Sequence, residues 1–349
     1  MRQALEHWLN QVWYGPKPPP LWLRALTPIF RLGSGINRQF QRLRRPVALF
    51  GAPLIVVGNL TAGGSGKTPL VIRLCQVFAQ AGLKPGVISR GYGRSSRGLL
   101  RVNADSDPAQ VGDEPVLLAR RTGAPVIVAH DRCAAARALL RTGVQVVIAD
   151  DGLQHYRLPR TVEICVVDQS RQFGNGRLQP AGPLREPVSR LATVDYIVVN
   201  AGSGRPESTP ATAALPAGRL VSMQLLPGWL RSLDGELSWR ITQFSGCRVN
   251  ALAGIGNPQR FFETLRQAGL KTIEFAFPDH HSFSAADFAA LNSSLPVIMT
   301  EKDAIKCAAM NLKNAWYLTV DAALPAEFEA ELVARIRATS MSEQPHGRR

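Results

Sequence analysis

Residues 54–69 read Leu-Ile-Val-Val-Gly-Asn-Leu-Thr-Ala-Gly-Gly-Ser-Gly-Lys-Thr-Pro, and their reading decides the fold. A short buried strand over 53–57 runs into a glycine-rich turn, and residues 69–81 then place apolar side chains at helical spacing. Gly66-Lys67-Thr68 closes a phosphate-binding loop. Backbone N–H groups along Thr61, Ala62, Gly63, Gly64, Ser65 and Gly66 wrap phosphate oxygens, Lys67 neutralises the β- and γ-phosphates, and the Thr68 hydroxyl ligates Mg²⁺. The usual GxxxxGK[ST] spacing asks for glycine at position 61, where Thr61 stands, so Gly63 and Gly64 supply the flexibility. The competing reading is a strand-to-helix turn that binds no nucleotide.

Working outward, short β-branched runs at 85–89, 125–129, 144–149, 164–168 and 196–200 alternate with helical stretches at 114–121 and 132–141. This βαβ rhythm predicts an α/β fold: a P-loop NTPase-like, mostly parallel sheet with helices on both faces. Residues 201–218 turn to Gly, Ser, Pro, Thr and Ala, a linker composition. Strands are expected at 220–226 and 237–242, and a second, smaller α/β unit begins with strands at 250–253, 272–275 and 297–300. The expected division is therefore an N-terminal amphipathic segment (1–45), a P-loop core (46–218), linker strands (219–245) and a C-terminal lid (246–349).

The chain has 349 residues, 45% of them apolar, which suits two packed domains and excludes a disordered or fibrous chain. Five widely spaced cysteines without a CxxC pair argue against a disulfide framework or a zinc site and for a reducing compartment. The formal net charge is +15, and it is concentrated: residues 1–50 carry eight Lys and Arg against Glu6 alone. Arg24, Arg31, Arg38 and Arg45 recur every seven residues, nearly two helical turns, among Trp8, Trp13, Trp22 and many Leu, Ile and Phe. That is the composition of a helix lying in a membrane interface. An ordinary core-packed helix with solvated arginines and a nucleic-acid-binding segment are the other readings. Pro28, Gly33 and Gly35 predict a break in the helix. No apolar run reaches the ~20 residues needed to span a bilayer, so the segment should lie on a membrane without crossing it.

A phosphate loop needs an acidic partner for its metal. Residues 144–149 run directly into Asp150-Asp151, two carboxylates at the C-terminal end of a buried strand, as in a Walker B motif. An exposed acidic turn is the bland alternative. His155 follows closely and either orients a carboxylate, contacts substrate or is structural. Thr300-Glu301-Lys302-Asp303 lacks the spacing of a guanine-reading NKxD motif. Phosphoryl transfer to a hydroxyl needs a proton acceptor and cations for the transition-state charge. Asp113, in Gly112-Asp113-Glu114-Pro115, is either that acceptor or a helix cap. The candidate cations are Arg90, Arg94, Arg132, Arg177 and Arg185, each of which alone would read as a surface arginine.

Together these stretches resemble the tetraacyldisaccharide 4'-kinase family of lipid A biosynthesis. GNLTAGGSGKTP at 58–69, SRGYGR at 89–94, VGDEP at 111–115, DDGLQH at 150–155, FGNGRLQPAGPLREP at 173–187, FPDHHSF at 277–283 and TEKDAIK at 300–306 are similar to its motifs, in order. The resemblance implies ATP- and Mg²⁺-dependent transfer to the 4'-hydroxyl of a tetraacyldisaccharide 1-phosphate lipid, giving lipid IVA. It implies catalytic roles for Lys67, Asp113, Asp151 and His280, with His280 favoured over His281 because it follows the Pro-Asp pair. It implies metal support from Thr68 with Asp150 or Asp151, and substrate contacts from Arg90, Arg94, Arg132, His155, Arg177 and Arg185. It also implies a peripheral enzyme on the cytoplasmic face of the Gram-negative inner membrane. A nucleic-acid-dependent ATPase and a non-catalytic nucleotide switch are the competing classes; the chain shows no clear nucleic-acid-binding module, and a switch needs no base such as Asp113.

Overall fold

A computed structural model describes residues 2–43, 52–204 and 217–342. In chain order the elements are α1 (Arg2–Tyr14), α2 (Leu21–Leu43), β1 (Leu54–Gly58), α3 (Lys67–Gln80), β2 (Pro85–Ser89), β3 (Leu100–Val102), α4 (Pro108–Val111) and α5 (Asp113–Thr122). Then come β4 (Val126–Val128), α6 (Arg132–Leu140), β5 (Val146–Asp150), β6 (Val162–Asp168), β7 (Tyr196–Asn200), β8 (Leu220–Ser232) and β9 (Ser238–Arg240). The smaller half follows with β10 (Arg248–Ala253), α7 (Pro258–Gln267), β11 (Lys271–Ala276), α8 (Ala285–Ala289), β12 (Val297–Thr300), α9 (Glu301–Cys307), β13 (Ala315–Ala323) and α10 (Ala326–Ser342).

One sheet carries both halves, in the order β11-β10-β12-β13-β8-β7-β6-β1-β5-β2-β4-β3, with β9 against β8. Strands β7, β6, β1, β5, β2 and β4 are all parallel. They are buried along their length, which is why their sequences are continuous apolar runs rather than alternating ones. Successive residues still serve opposite faces. Ile55 and Val57 pack with α3 and α5, while Leu54 and Val56 pack with α6.

Residues 219–245 do more than link. Strand β8 pairs in parallel with β7 through 220–223 and antiparallel with β13 through 224–232. Because β10 and β12 run parallel to β13, the strands of the smaller half point their C-terminal ends back at the C-terminal edge of the larger sheet. The smaller half has its own cores, Phe261, Phe262 and Leu265 of α7 on one face and Ala304 and Cys307 of α9 on the other. Helix α10 returns to the larger half: Phe328, Leu332 and Ile336 join its core, and Arg73 forms a two-pronged ion pair with Glu329 at 2.6 and 2.7 Å. By packing, residues 326–342 thus sit with the P-loop unit. Residues 205–216 of the expected linker, and Arg44 and Arg45, lie outside the described residues.

The break expected at Pro28 is absent, and α2 runs through it for 23 residues. The helix is anchored on both sides of the proline. Leu23 is buried and Trp22 stacks on Trp8 at 6.0 Å. Beyond it, Gln41 accepts the Tyr156 backbone N–H at 3.0 Å and Arg42 lies 4.8 Å over the Tyr156 ring. Trp22, Leu26, Ile29, Leu32, Ile36, Phe40 and Leu43 recur at three- and four-residue steps and are 43–74% exposed. One apolar stripe therefore faces outward. Among the described residues, no helix is long and apolar enough to cross a membrane.

Since Leu332 is fully buried in the larger core, Leu332→Ala should destabilise the protein by about 2–5 kcal/mol in urea unfolding. A loss below 1 kcal/mol would show that α10 is not part of that core.

Candidate active site

The phosphate loop is held open by side chains that sequence reasoning did not single out. Gly66 starts α3 with φ 93°, and a Cβ there would lie 2.2 Å from Asn200 Nδ2, which donates to the Ser65 carbonyl at 2.9 Å. Asn59, fully buried, accepts from Lys67 Nζ at 3.2 Å. Gln154 donates to the Asn59 carbonyl at 3.0 Å, tying the loop to the turn after β5.

Strand β5 brings the paired acids to this loop in different states. Asp151 lies 3.6 Å from Lys67 Nζ and 3.1 Å from Arg185. Burial opposes its ionisation, but Lys67 and Arg185 outweigh it and hold the carboxyl well below the usual range. Asp150 is buried; Ser89 donates to its Oδ2 at 3.3 Å, and its Oδ1 has no hydrogen-bond partner among the described residues. Burial, then the nearby Glu114 carboxylate, pushes Asp150 up to about 7. An unpaired buried carboxylate oxygen beside a phosphate loop fits a divalent cation. Thr68 lines the same cleft.

On α5 of the same half, Gly112 and not Asp113 occupies the cap position, and Asp113 accepts the Glu114 N–H at 2.9 Å while its carboxylate also faces the smaller half. Its two carboxylate oxygens each lie 3.2 Å from His280 Nδ1. Burial would raise Asp113, yet Lys302 and His280 hold it well below the carboxylate range. Burial disfavours the charged His280 ring, but the bond from Asp113 wins and raises its pKa above the ordinary value. His280 adopts φ 59° and packs 4.9 Å from the Tyr92 ring. The neighbouring His281 turns away, its Nε2 3.2 Å from Asp287 and its ring against Phe277 and Phe283.

The candidate arginines separate. Arg90, Arg94, Arg97 and Arg132 gather around His130, whose proton they disfavour after the effect of burial. Arg132 is 4% exposed, donates to the Ala129 carbonyl at 3.1 Å, and is drawn down to about 10 by burial. Arg185 belongs to the acid pair, as above. Arg177 is exposed on the loop whose Asn175 and Pro180 seat α1 through Val12 and Trp13; its carbonyl accepts the Leu184 N–H at 3.1 Å, and the adjacent Pro183 carbonyl accepts the Ala62 N–H of the phosphate loop at 2.8 Å. His155 bonds neither acid: its Nε2 is buried without a partner among the described residues, and burial, then Arg132, pull its pKa to about 4. Its ring is therefore neutral.

Residues from both halves line a cavity of about 210 Å³, with Gly64, Thr68 and Glu114 facing Asn257, Asp279 and Lys302. Ile72, Leu117, Phe261 and Leu318 form its apolar part, suited to an aromatic base, while the loop offers N–H groups to phosphates. Gly256 abuts Gly64 so closely that a Cβ on Gly256 would lie 2.5 Å from the Gly64 nitrogen. Glu114, Asp279 and Asn59 stand inside the motifs read from sequence but were given no role there. They acquire meaning only once the two halves meet.

The pattern described as "Tetraacyldisaccharide-1-P 4'-kinase" matches residues 20–337. A tetraacyldisaccharide 4'-kinase from Xanthomonas euvesicatoria is 46% identical over 93% of this chain and 94% of its own length. One from Stenotrophomonas maltophilia is 47% identical over 93% and 95%. The crystal structure of LpxK from Aquifex aeolicus in complex with ATP superposes with a TM-score of 0.72 at 27% identity, covering 90% of this chain and 98% of that one.

The two histidines should separate in an NMR titration. His155 stays neutral until the pH approaches about 4, and His280 keeps its proton above the usual 6.5. Because folded His155 binds its proton later than the unfolded chain does, it removes stability as pH falls from 6.5 through about 4. An ordinary midpoint for His155 would contradict the dry pocket.

Proposed function

The chain belongs to the tetraacyldisaccharide-1-P 4'-kinase family, and from that premise we propose how its residues move phosphate from ATP to the 4'-hydroxyl of a tetraacyldisaccharide 1-phosphate. The reaction places the chain in lipid A biosynthesis. The observation that carries the assignment of roles is the Asp113–His280 pair, 3.2 Å apart and contributed by different halves, whose neighbours Glu114 and Asp279 line the same cavity as Gly64, Gly66 and Thr68 of the phosphate loop.

ATP lies with its phosphates in the loop formed by Thr61, Ala62, Gly63, Gly64, Ser65 and Gly66, where Lys67 counters the charge that develops on the transferred group. Thr68 and Asp150, with Asp151, would hold Mg²⁺, which would supply positive charge to the transferring phosphoryl group. Asp151, already paired with Lys67 and Arg185, fixes the lysine's position. Asp113 accepts the 4'-hydroxyl proton as the phosphoryl group moves. In a loose transition state the hydroxyl loses its proton late, so a carboxylate kept ionised at neutral pH suffices. His280 orients that carboxylate through Nδ1, while its Nε2 edge lies against Lys302 and Asp279.

The substrate is an anionic lipid. Arg90 and Arg94 around His130 offer a cationic surface for its 1-phosphate, with the charge of the buried Arg132 behind them, next to the acids at the end of β5. Arg177 lies beside α1, toward the acyl chains. His155 shapes the sugar side as a neutral group. The exposed apolar stripe of α2, with Arg24, Arg31 and Arg38 on the opposite, polar face of the helix, supports docking on an anionic bilayer, with each basic residue that reaches the surface contributing about 1 kcal/mol. The free cysteines and the use of ATP support the cytoplasmic face of the inner membrane. Residues 1–45 act as the membrane segment, 46–218 as the kinase core and the smaller half as a lid.

With detergent-solubilised disaccharide 1-phosphate and Mg-ATP, the protein should form a 4'-phosphorylated product. Asp113→Asn should lower kcat by about 10²–10⁴-fold, and an unchanged kcat would remove Asp113 as the base. Separately, deleting residues 1–45 should release the protein from anionic vesicles in a flotation assay. Full retention would refute the role given to α2.

A further inference from the structure

Lys302 sits where three carboxylates from both halves converge. Its Nζ is 3.1 Å from Glu114 and 3.9 Å from Asp113, both on α5, and 3.0 Å from Asp279 on the loop after β11. It is also 3.5 Å from His280 Nε2. Without this ammonium, Asp279 would face Asp113 and Glu114 as like charges across the joint, in a partly desolvated setting where repulsion is strong.

The position of Lys302 is itself fixed. Thr300 accepts from the Asp303 N–H at 3.2 Å and donates to its carboxylate at 2.6 Å, and that carboxylate accepts the Gly254 N–H at 2.9 Å. Lys306 balances Asp303 at 2.7 Å. Asp303 thus pins the start of α9 to the end of β10. Lys302, the second residue of α9, then reaches α5, as does the adjacent Glu301, which meets Arg121 of α5 at 2.6 Å.

We propose that Lys302 is the clasp between the two halves and, through Asp113, a positioning residue for phosphoryl transfer. The proposal rests on Asp113 being the proton acceptor. The clasp keeps the second half seated on α5, so that His280 Nδ1 meets Asp113, and it keeps the Asp113 carboxylate turned to the cleft. Asp113 faces His280 and Asp279 from the loop after β11, Lys302 and Lys306 from α9, and Glu114 from its own helix. Tyr92 backs the His280 ring.

The test compares Lys302→Met and Lys302→Arg in the full-length protein, each with Asp113 intact and with Asp113→Asn, by following 4'-phosphorylated product from Mg-ATP. With Asp113 intact, Lys302→Met should lower kcat about 100-fold and shift the acidic limb of the kcat profile to higher pH, because Asp113 loses a cation that keeps it ionised. Lys302→Arg should restore most of the rate. Added to Asp113→Asn, Lys302→Met should cost less than threefold more. An unchanged kcat and pH profile for Lys302→Met, beside a crippled Asp113→Asn, overturns the clasp alone. So does a full 100-fold loss on top of Asp113→Asn, which marks a merely structural lysine. Full activity of Asp113→Asn overturns the base reading and the clasp with it. If Lys302→Met does not fold, Lys302→Met/Glu114→Gln, which also removes a carboxylate the lysine neutralises, carries the same comparison.

Discussion

Strand β8 is the constraint on which everything else depends. Its first residues complete the parallel sheet of the larger half, and the rest extend past that sheet's C-terminal edge to pair antiparallel with β13. A strand shared in this way fixes the direction of the smaller sheet. Both sheets then present their C-terminal ends to one another. In open α/β sheets ligands bind beyond those ends, where loops and helix N-termini collect. Here two such edges meet, and the cleft between them holds the end of β1 and β5 on one side and the ends of β10, β11 and β12 on the other.

The electrostatics of the cleft follow from that meeting. The larger half brings Asp113, Glu114, Asp150 and Asp151, far more negative charge than a phosphate site tolerates without cations. Lys67 and Arg185 answer Asp151, and Lys302 answers Asp113, Glu114 and Asp279 across the joint. Asp150 keeps an oxygen with no hydrogen-bond partner among the described residues, so the two acids stand in unequal surroundings although they are adjacent in sequence. Further positive charge lines α2 and surrounds His130, from where Arg132 also acts on Asp150 and Asp151.

Much of this was legible before the structure. The parallel strands declare themselves because burial on both faces leaves only apolar residues, and the phosphate loop is readable because its backbone geometry demands glycine and lysine at set positions. Strand β13 and helices α7 and α10 were not anticipated. They belong to the second core or close the first from a distance, and such packing leaves no local mark. Pro28 misled because its cost is local, whereas the anchors at Leu23 and at Gln41–Arg42 are tertiary. The arginines could not be ranked from sequence, since nothing in the chain distinguishes the buried Arg132 from the exposed Arg177. The N-cap alternative for Asp113 fell on one residue of register, with Gly112 taking the cap and His280, 167 positions away, taking the carboxylate.

The most direct test of this account is a crystal structure of the protein with Mg²⁺ and a non-hydrolysable ATP analogue. The γ-phosphate should lie between Lys67 and the Asp113–His280 pair, with the cation on Thr68 and the free oxygen of Asp150, and Lys302 still joining Asp113, Glu114 and Asp279. A nucleotide whose γ-phosphate points away from Asp113, with the smaller half parted from α5, would contradict it.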